Sequence, residues 1–204
     1  MSMRRDPATS RLGEQFEQVL AAAQAGAPWA LERLWLALSP VVAGYLRVQG
    51  AAEPDELTSD VFLAAFRGLR SFSGNEASFR SWIFTIAHHR LVDERRRHAR
   101  LPRTEDDATA VAEHRPGGDV EQEALRALSA DRVRQVCDRL SPDQRDVLLL
   151  RMVADLSLEE TAATVGKPVG AVKSLQHRAL ESLRRQLADS GSFDRGNLPE
   201  GVSP

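Results

Sequence analysis

Lys173, Ser174, His177 and Arg178 recur at three- and four-residue spacing, so on a helix they share one edge. Together they offer ammonium, hydroxyl, imidazole and guanidinium groups, which suit phosphate oxygens and base edges of duplex DNA. A second set lies upstream, in FRSWIFTIAHHRLVDERRRHAR, where aromatic residues mix with Arg80, Arg90, Arg95, Arg96, Arg97 and Arg100. Aromatic faces stack on unpaired bases while guanidinium groups hold the backbone, a combination suited to single strands. Just before it, Ser71–Ser78 (SFSGNEAS) is a run of small hydrogen-bonding residues able to hold an extruded base. Each set has a plainer reading. The downstream edge is also what a solvated helical hairpin would show. Trp82, Phe79 and Ile83 read as core, and Arg95–Arg97 as a solvated helix end complementing the macrodipole. His89 and Asp93, one turn apart with His88 adjacent, invite a metal, but no third ligand stands at a diagnostic spacing, so no metal is assigned. No Ser-His-Asp pattern, glycine-rich phosphate loop or catalytic cysteine context occurs, so neither an enzymatic activity nor a cofactor is expected.

These residues need helices to position them. Ser157 and Glu160 form a capping box, Ala162 and Val165 continue at helical spacing, and Gly166 supplies a left-handed stop. Pro168 opens a new helix, on which Val172, Ala179, Leu183 and Leu187 fall on one arc opposite the polar edge. A short helix, a turn and a longer helix make the helix-turn-helix plan, with Val169–Arg178 at the groove. Upstream, Ser141-Pro142-Asp143 caps a helix carrying Val147, Leu148, Leu150 and Met152. In the first half a helix is predicted from Glu14 to Gly26, a second from Pro28, a third from Pro40 to Gly50, a fourth from Pro54, and a long one over 79–97.

The expected organisation is all-α, with two compact helical domains, 14–100 and 123–187, joined by a flexible acidic linker over 101–122. Residues 1–13 and 188–204 are expected to be disordered. Pro102–Asp119 concentrates Glu105, Asp106, Asp107, Glu113 and Asp119 with Pro116-Gly117-Gly118, and the helical pattern returns at Leu125 and Leu128. Across 204 residues, 42% are hydrophobic and 27% charged, enough apolar surface for packed cores. The net charge of −2 means that any nucleic-acid surface must be local. No apolar run approaches the roughly 20 residues that span a bilayer. Cys137 is the sole cysteine and, with Val133, Val136 and Leu140 at helical spacing, reads as a small buried hydrophobe. A cytoplasmic protein without membrane insertion is expected.

The order of DELTSDVFLAAFRGLRSF, FRSWIFTIAHHRLVDERRR, an acidic linker and LSPDQRDVLLLRMVADLSLEETAATVGKPVGAVKSLQHRALESL resembles the extracytoplasmic-function (ECF) group of bacterial sigma factors, from about Glu14 to Leu187. The resemblance implies an alternative sigma factor that binds core RNA polymerase, recognises −35 and −10 promoter elements and promotes melting. It implies promoter DNA as a partner, no small-molecule substrate, and in many relatives an anti-sigma factor. Asp55–Arg70 is similar to the helix that docks on the β′ clamp helices, with Asp55, Glu56, Leu57, Asp60 and Val61 as the docking residues. Phe72, Ser73, Gly74, Asn75, Arg80 and His89 match the element that captures an unpaired −10 base, with Phe72 and His89 flanking it. The linker resembles the segment threaded toward the polymerase active site. The second domain resembles the −35 reader, with Val169, Lys173, Ser174, His177 and Arg178 at the groove and its earlier helices on the β flap. Three positions depart from the family pattern. Ser59 replaces a common glutamine, His89 a frequent asparagine, and Leu175 an arginine. Two rivals are a dimeric helix-turn-helix regulator, which would bring a receiver or ligand domain, and a helical metal enzyme built on His88, His89 and Asp93.

Overall fold

The computed structural model describes residues 12–100 and 133–193. The expected disorder of 1–11 and 194–204, and the acidic linker with the pattern at Leu125 and Leu128, lie outside the described residues. After a 3-10 turn at Gly13–Gln15, α1 (Phe16–Gln24) buries Phe16, Val19, Leu20 and Ala23, an i, i+3, i+4, i+7 stripe. Next come α2 (Pro28–Val48), α3 (Pro54–Gly68), a 3-10 turn at Leu69–Ser71, and α4 (Glu76–Arg100). After a helical turn at 133–137, the second half continues with α5 (Pro142–Met152), α6 (Leu158–Val165) and α7 (Val169–Phe193). Among the described residues there is no strand and no helix long and apolar enough to cross a membrane.

The expected break at Pro40 does not occur: α2 is one helix with Pro40 inside it. A proline in a helix interior forfeits a backbone bond and crowds the preceding turn, at about 3 kcal/mol. Ala30, Leu34, Leu38, Val42, Tyr45 and Leu46 nevertheless stay in register on one buried face across it. Burial of each large member stabilises by about 1.5–3 kcal/mol, so the stripe outweighs the proline, which sits on the exposed side. The last helix also outruns its expected end at Leu187, reaching Phe193. Propagation adds a backbone bond per residue, and no proline intervenes before Pro199.

The two halves pack against one another. Cys137, Leu140, Leu148, Leu149, Leu150 and Leu156 join the buried cluster built by α1–α4. Polar bonds cross the same seam. Gln49 Nε2 donates to Asp146 Oδ1 at 2.8 Å, and Arg95 Nη1 stands 3.6 Å from the same oxygen. Arg95 Nη2 also donates to the Gln49 carbonyl and side-chain oxygens, at 2.7 and 3.0 Å. Further along α4, the Thr85 and Thr164 hydroxyls meet at 2.9 Å, and Arg80 Nε donates to the Ala154 carbonyl at 3.0 Å. A smaller cluster of Val147, Ala162 and Val172 closes the helix-turn-helix on itself.

Candidate nucleic-acid interface

The helix-turn-helix forms as its local signals require. Ser157 Oγ accepts the Glu160 amide at 3.1 Å while Glu160 Oε2 accepts the Ser157 amide at 2.7 Å, closing the capping box. Gly166 ends α6 at φ 66°, a left-handed conformation that costs other residues steric strain. Ser141 and Gln144 form a second capping box at α5. With both helices fixed, α7 buries Val172 and Ala179 and exposes Lys173, Ser174, His177 and Arg178. Ser174 Oγ donates to the Gly170 carbonyl at 3.0 Å, so its hydroxyl oxygen faces outward as an acceptor. His177 Nε2 lies 3.3 Å from Glu181 Oε1 on the next turn, which orients the imidazole along the helix. Val169 and Leu175 are half-buried against the Val147 cluster and serve the packing of the turn.

The loop ahead of α4 is built as tightly. Phe72 is half-buried, its ring stacked on Trp82 at 5.1 Å and 26° and set edge-on to Phe79 at 5.2 Å. Phe79 is core, as expected, whereas Trp82 is half-buried and forms the floor under Phe72. Gly74 has φ 153°, and a Cβ there would stand 2.9 Å from Ser78 Cβ and 3.2 Å from Phe72 Cζ. Asn75 acts as a helix cap, its Oδ1 accepting the Ser78 amide at 2.9 Å and hydroxyl at 3.0 Å. Ser73 is exposed. His89 is also exposed, two turns beyond Trp82 or about 10 Å along the helix axis. Arg80 is half-buried, with its guanidinium 5.9 Å from the Phe84 ring centroid and its Nε on the Ala154 carbonyl.

His88 turns inward instead, with Nδ1 3.3 Å from the Tyr45 hydroxyl. Burial holds its pKa below the usual imidazole value, His89 and Arg95 push the same way, and Asp146 opposes them. Burial also pushes the Tyr45 phenol well above its ordinary value. His88 and His89 therefore face different surroundings, one the core and one solvent.

On α3 the sequence reading needs correction. Leu57 and Val61, expected to dock a partner, are 5% and 0% exposed, and Ala65 is also core. An apolar seam at helical spacing is the inward stripe of its own domain before it is anything else. The outward face holds Glu56, Ser59, Asp60, Leu63 and Arg67, with Asp55 exposed beside it and paired to Arg47 at 3.2 Å. Leu63, 51% exposed, is the apolar member of that face that periodicity alone did not single out. Gln24 and Glu76 were missed as well. Their side chains bond backbone groups 45 to 64 residues away, for which sequence spacing carries no signal.

Residues 34–101 match the family described as Sigma-70 region 2, and residues 137–185 the family described as Sigma-70, region 4. The ECF RNA polymerase sigma factor SigD of Mycobacterium tuberculosis H37Rv is 32% identical over 193 residues, covering 92% of this chain and 91% of that protein. The ECF RNA polymerase sigma factor BldN of Streptomyces coelicolor is 36% identical over 191 residues, covering 91% of this chain and 70% of that one. Among solved structures, CnrH in complex with the cytosolic domain of CnrY superposes with a TM-score of 0.61 at 24% identity, covering 86% of this chain and 99% of that one. The sigma factor RpoE in complex with the anti-sigma factor NepR from Bartonella quintana gives a TM-score of 0.54 at 21% identity, over 77% of this chain and 96% of that one.

Proposed function

The chain belongs to the ECF sigma factors of the sigma-70 family, alternative sigma factors for transcription initiation, and from that premise we propose how its surfaces divide the work. Lys173, Ser174, His177 and Arg178 read the duplex −35 element, some at phosphates and some at base edges. The Phe72 loop, Ser73 to Asn75, with Arg80 and His89, captures the unpaired −10 strand. The outward face of α3, with Asp55, Glu56, Asp60 and Leu63, docks on the β′ clamp helices of core polymerase, and the earlier helices of the second half meet the β flap. The observation that carries this reading is the α7 quartet, exposed together on a helix whose opposite face is core. The match of the first half to region 2 disfavours a dimeric regulator, which would carry a receiver or ligand domain there. An anti-sigma factor, the partner in the RpoE–NepR complex, would act by covering these surfaces.

Geometry adds a requirement. Elements centred about 25 base pairs apart lie roughly 85 Å apart along B-DNA. A compact chain of this length has a radius of gyration of only about 17 Å. The halves must part for both elements to be read at once, and Arg80 then exchanges the Ala154 carbonyl for phosphate. The test is a split in effects. Arg178→Ala should weaken gel-shift binding to a duplex −35 fragment and spare −10 capture by holoenzyme. Phe72→Ala should spare duplex binding and reduce permanganate reactivity of unpaired thymines, because stacking contributes about 1–3 kcal/mol per base. Normal melting by the Phe72 variant would remove the loop from the proposal.

A further inference from the structure

We propose that Gln24, the last residue of α1, is the positioning residue of the base-capturing loop, an inference that rests on the loop assignment above. Gln24 lies ahead of the residues matched to region 2, which begin at 34. Its Nε2 donates to the Leu69 carbonyl at 3.0 Å and to the Phe72 carbonyl at 2.8 Å. An amide nitrogen has two hydrogens, and here each has one acceptor, so the pair of carbonyls fixes which end of the amide faces the loop. The Leu69 oxygen also accepts the Phe72 amide at 3.1 Å. Gln24 therefore ties together both ends of the turn that sets Phe72.

That tie matters because of what Phe72 does next. It leaves the turn in an extended conformation, φ −71° and ψ 135°, which points its carbonyl away from any helical partner. The Gln24 amide supplies the missing donor and thereby fixes the peptide that leads into Ser73 and Gly74. The ring, in turn, has little freedom, held between Trp82 and Phe79. The far end of the loop is anchored to the same neighbourhood, since Glu76 accepts the Leu12 amide at 2.6 Å and the Gly13 amide at 3.0 Å. The first helix and the turn before it thus hold the loop at both ends, and a base entering it meets a preformed shape with no ordering left to do.

The experiment compares Gln24→Ala, Gln24→Glu, Phe72→Ala and the Gln24→Ala/Phe72→Ala double variant, each assembled with core polymerase. Three affinities are measured: for core, for a duplex −35 fragment, and for a fluorescent single strand carrying the −10 sequence. Gln24→Ala should lower −10 strand affinity roughly tenfold, the worth of two neutral hydrogen bonds, with the other two affinities unchanged. Gln24→Glu, nearly the same size but without a donor, should do the same. The double variant should bind the strand no worse than Phe72→Ala alone, because Gln24 acts through that residue. If Phe72→Ala loses strand affinity while either Gln24 variant keeps it, the positioning role is wrong and the loop assignment stands. A proportional fall in all three affinities, or additive losses in the double variant, would also overturn it, as a general structural role. Unimpaired strand binding by Phe72→Ala would instead remove the loop assignment and this inference with it.

Discussion

Replacing Asp146 with alanine should loosen the seam between the two halves of the chain. Gln49 is 3% exposed, and its Nε2 donates to Asp146 Oδ1 at 2.8 Å. Truncation leaves that buried donor without its acceptor, and an unsatisfied buried group of this kind costs about 2 kcal/mol. The Arg95–Asp146 pair adds little. Its groups are 3.6 Å apart, the Arg95 side chain is 36% exposed, and the guanidinium keeps its two bonds to Gln49. For a chain of this size, 2 kcal/mol corresponds to a fall of roughly 4–8 °C in Tm. Asp146→Asn keeps an oxygen where Gln49 needs one and removes only the charge, so it should cost under about 1 kcal/mol. Urea unfolding of the full chain, followed by far-UV circular dichroism, measures both. An alanine variant as stable as the parent, or an asparagine variant as damaging as alanine, would rule out the Gln49–Asp146 bond as the source of this stability. In the first case the bond contributes nothing. In the second the charge, and not the acceptor, is what matters.

Acidification should destabilise the protein through His88. Its folded pKa is lowered, so the unfolded state binds the proton first, and stability falls as pH drops below about 6.5, by at most about 1.4 kcal/mol per pH unit. The groups facing it are Tyr45, His89, Arg95 and Asp146, and His88→Gln should flatten the dependence when Tm is followed between pH 7.5 and 5. Asp60→Arg reverses a charge on the exposed face of α3 and should weaken core polymerase binding roughly tenfold with helical content intact. Unchanged affinity in a fluorescence titration would move the docking surface elsewhere.

The second half was the more legible in sequence. The starts of α5 and α6 are written in short-range chemistry, a serine and a glutamate or glutamine three residues apart, and the turn in one left-handed glycine. Signals of that range survive without tertiary context. Pro40 marks the opposite case, where a local breaker is overruled by a buried stripe that only the folded domain supplies. Leu57 and Val61 misled for a related reason: an apolar seam announces burial but not against what. The contact between Gln49 and Asp146 joins residues 97 apart in sequence, and nothing in either one's neighbours foretells it. For the −10 loop, residue types were legible but occupations were not. Asn75 turned out to be a cap, and Arg80 to hold a carbonyl of the other half.

The burial of Cys137 has a practical consequence for anyone wishing to watch this protein at work. It is the chain's sole cysteine, it is 2% exposed, and burial pushes its thiol pKa up, so little reactive thiolate is available at neutral pH. A cysteine introduced at an exposed site outside the proposed DNA surfaces, such as Gln18 or Arg185, would react with a maleimide dye far faster than the native one. The natural sequence is in effect already a blank background for attaching paired fluorophores. Energy transfer between one dye on each half would then report their separation on a promoter in real time.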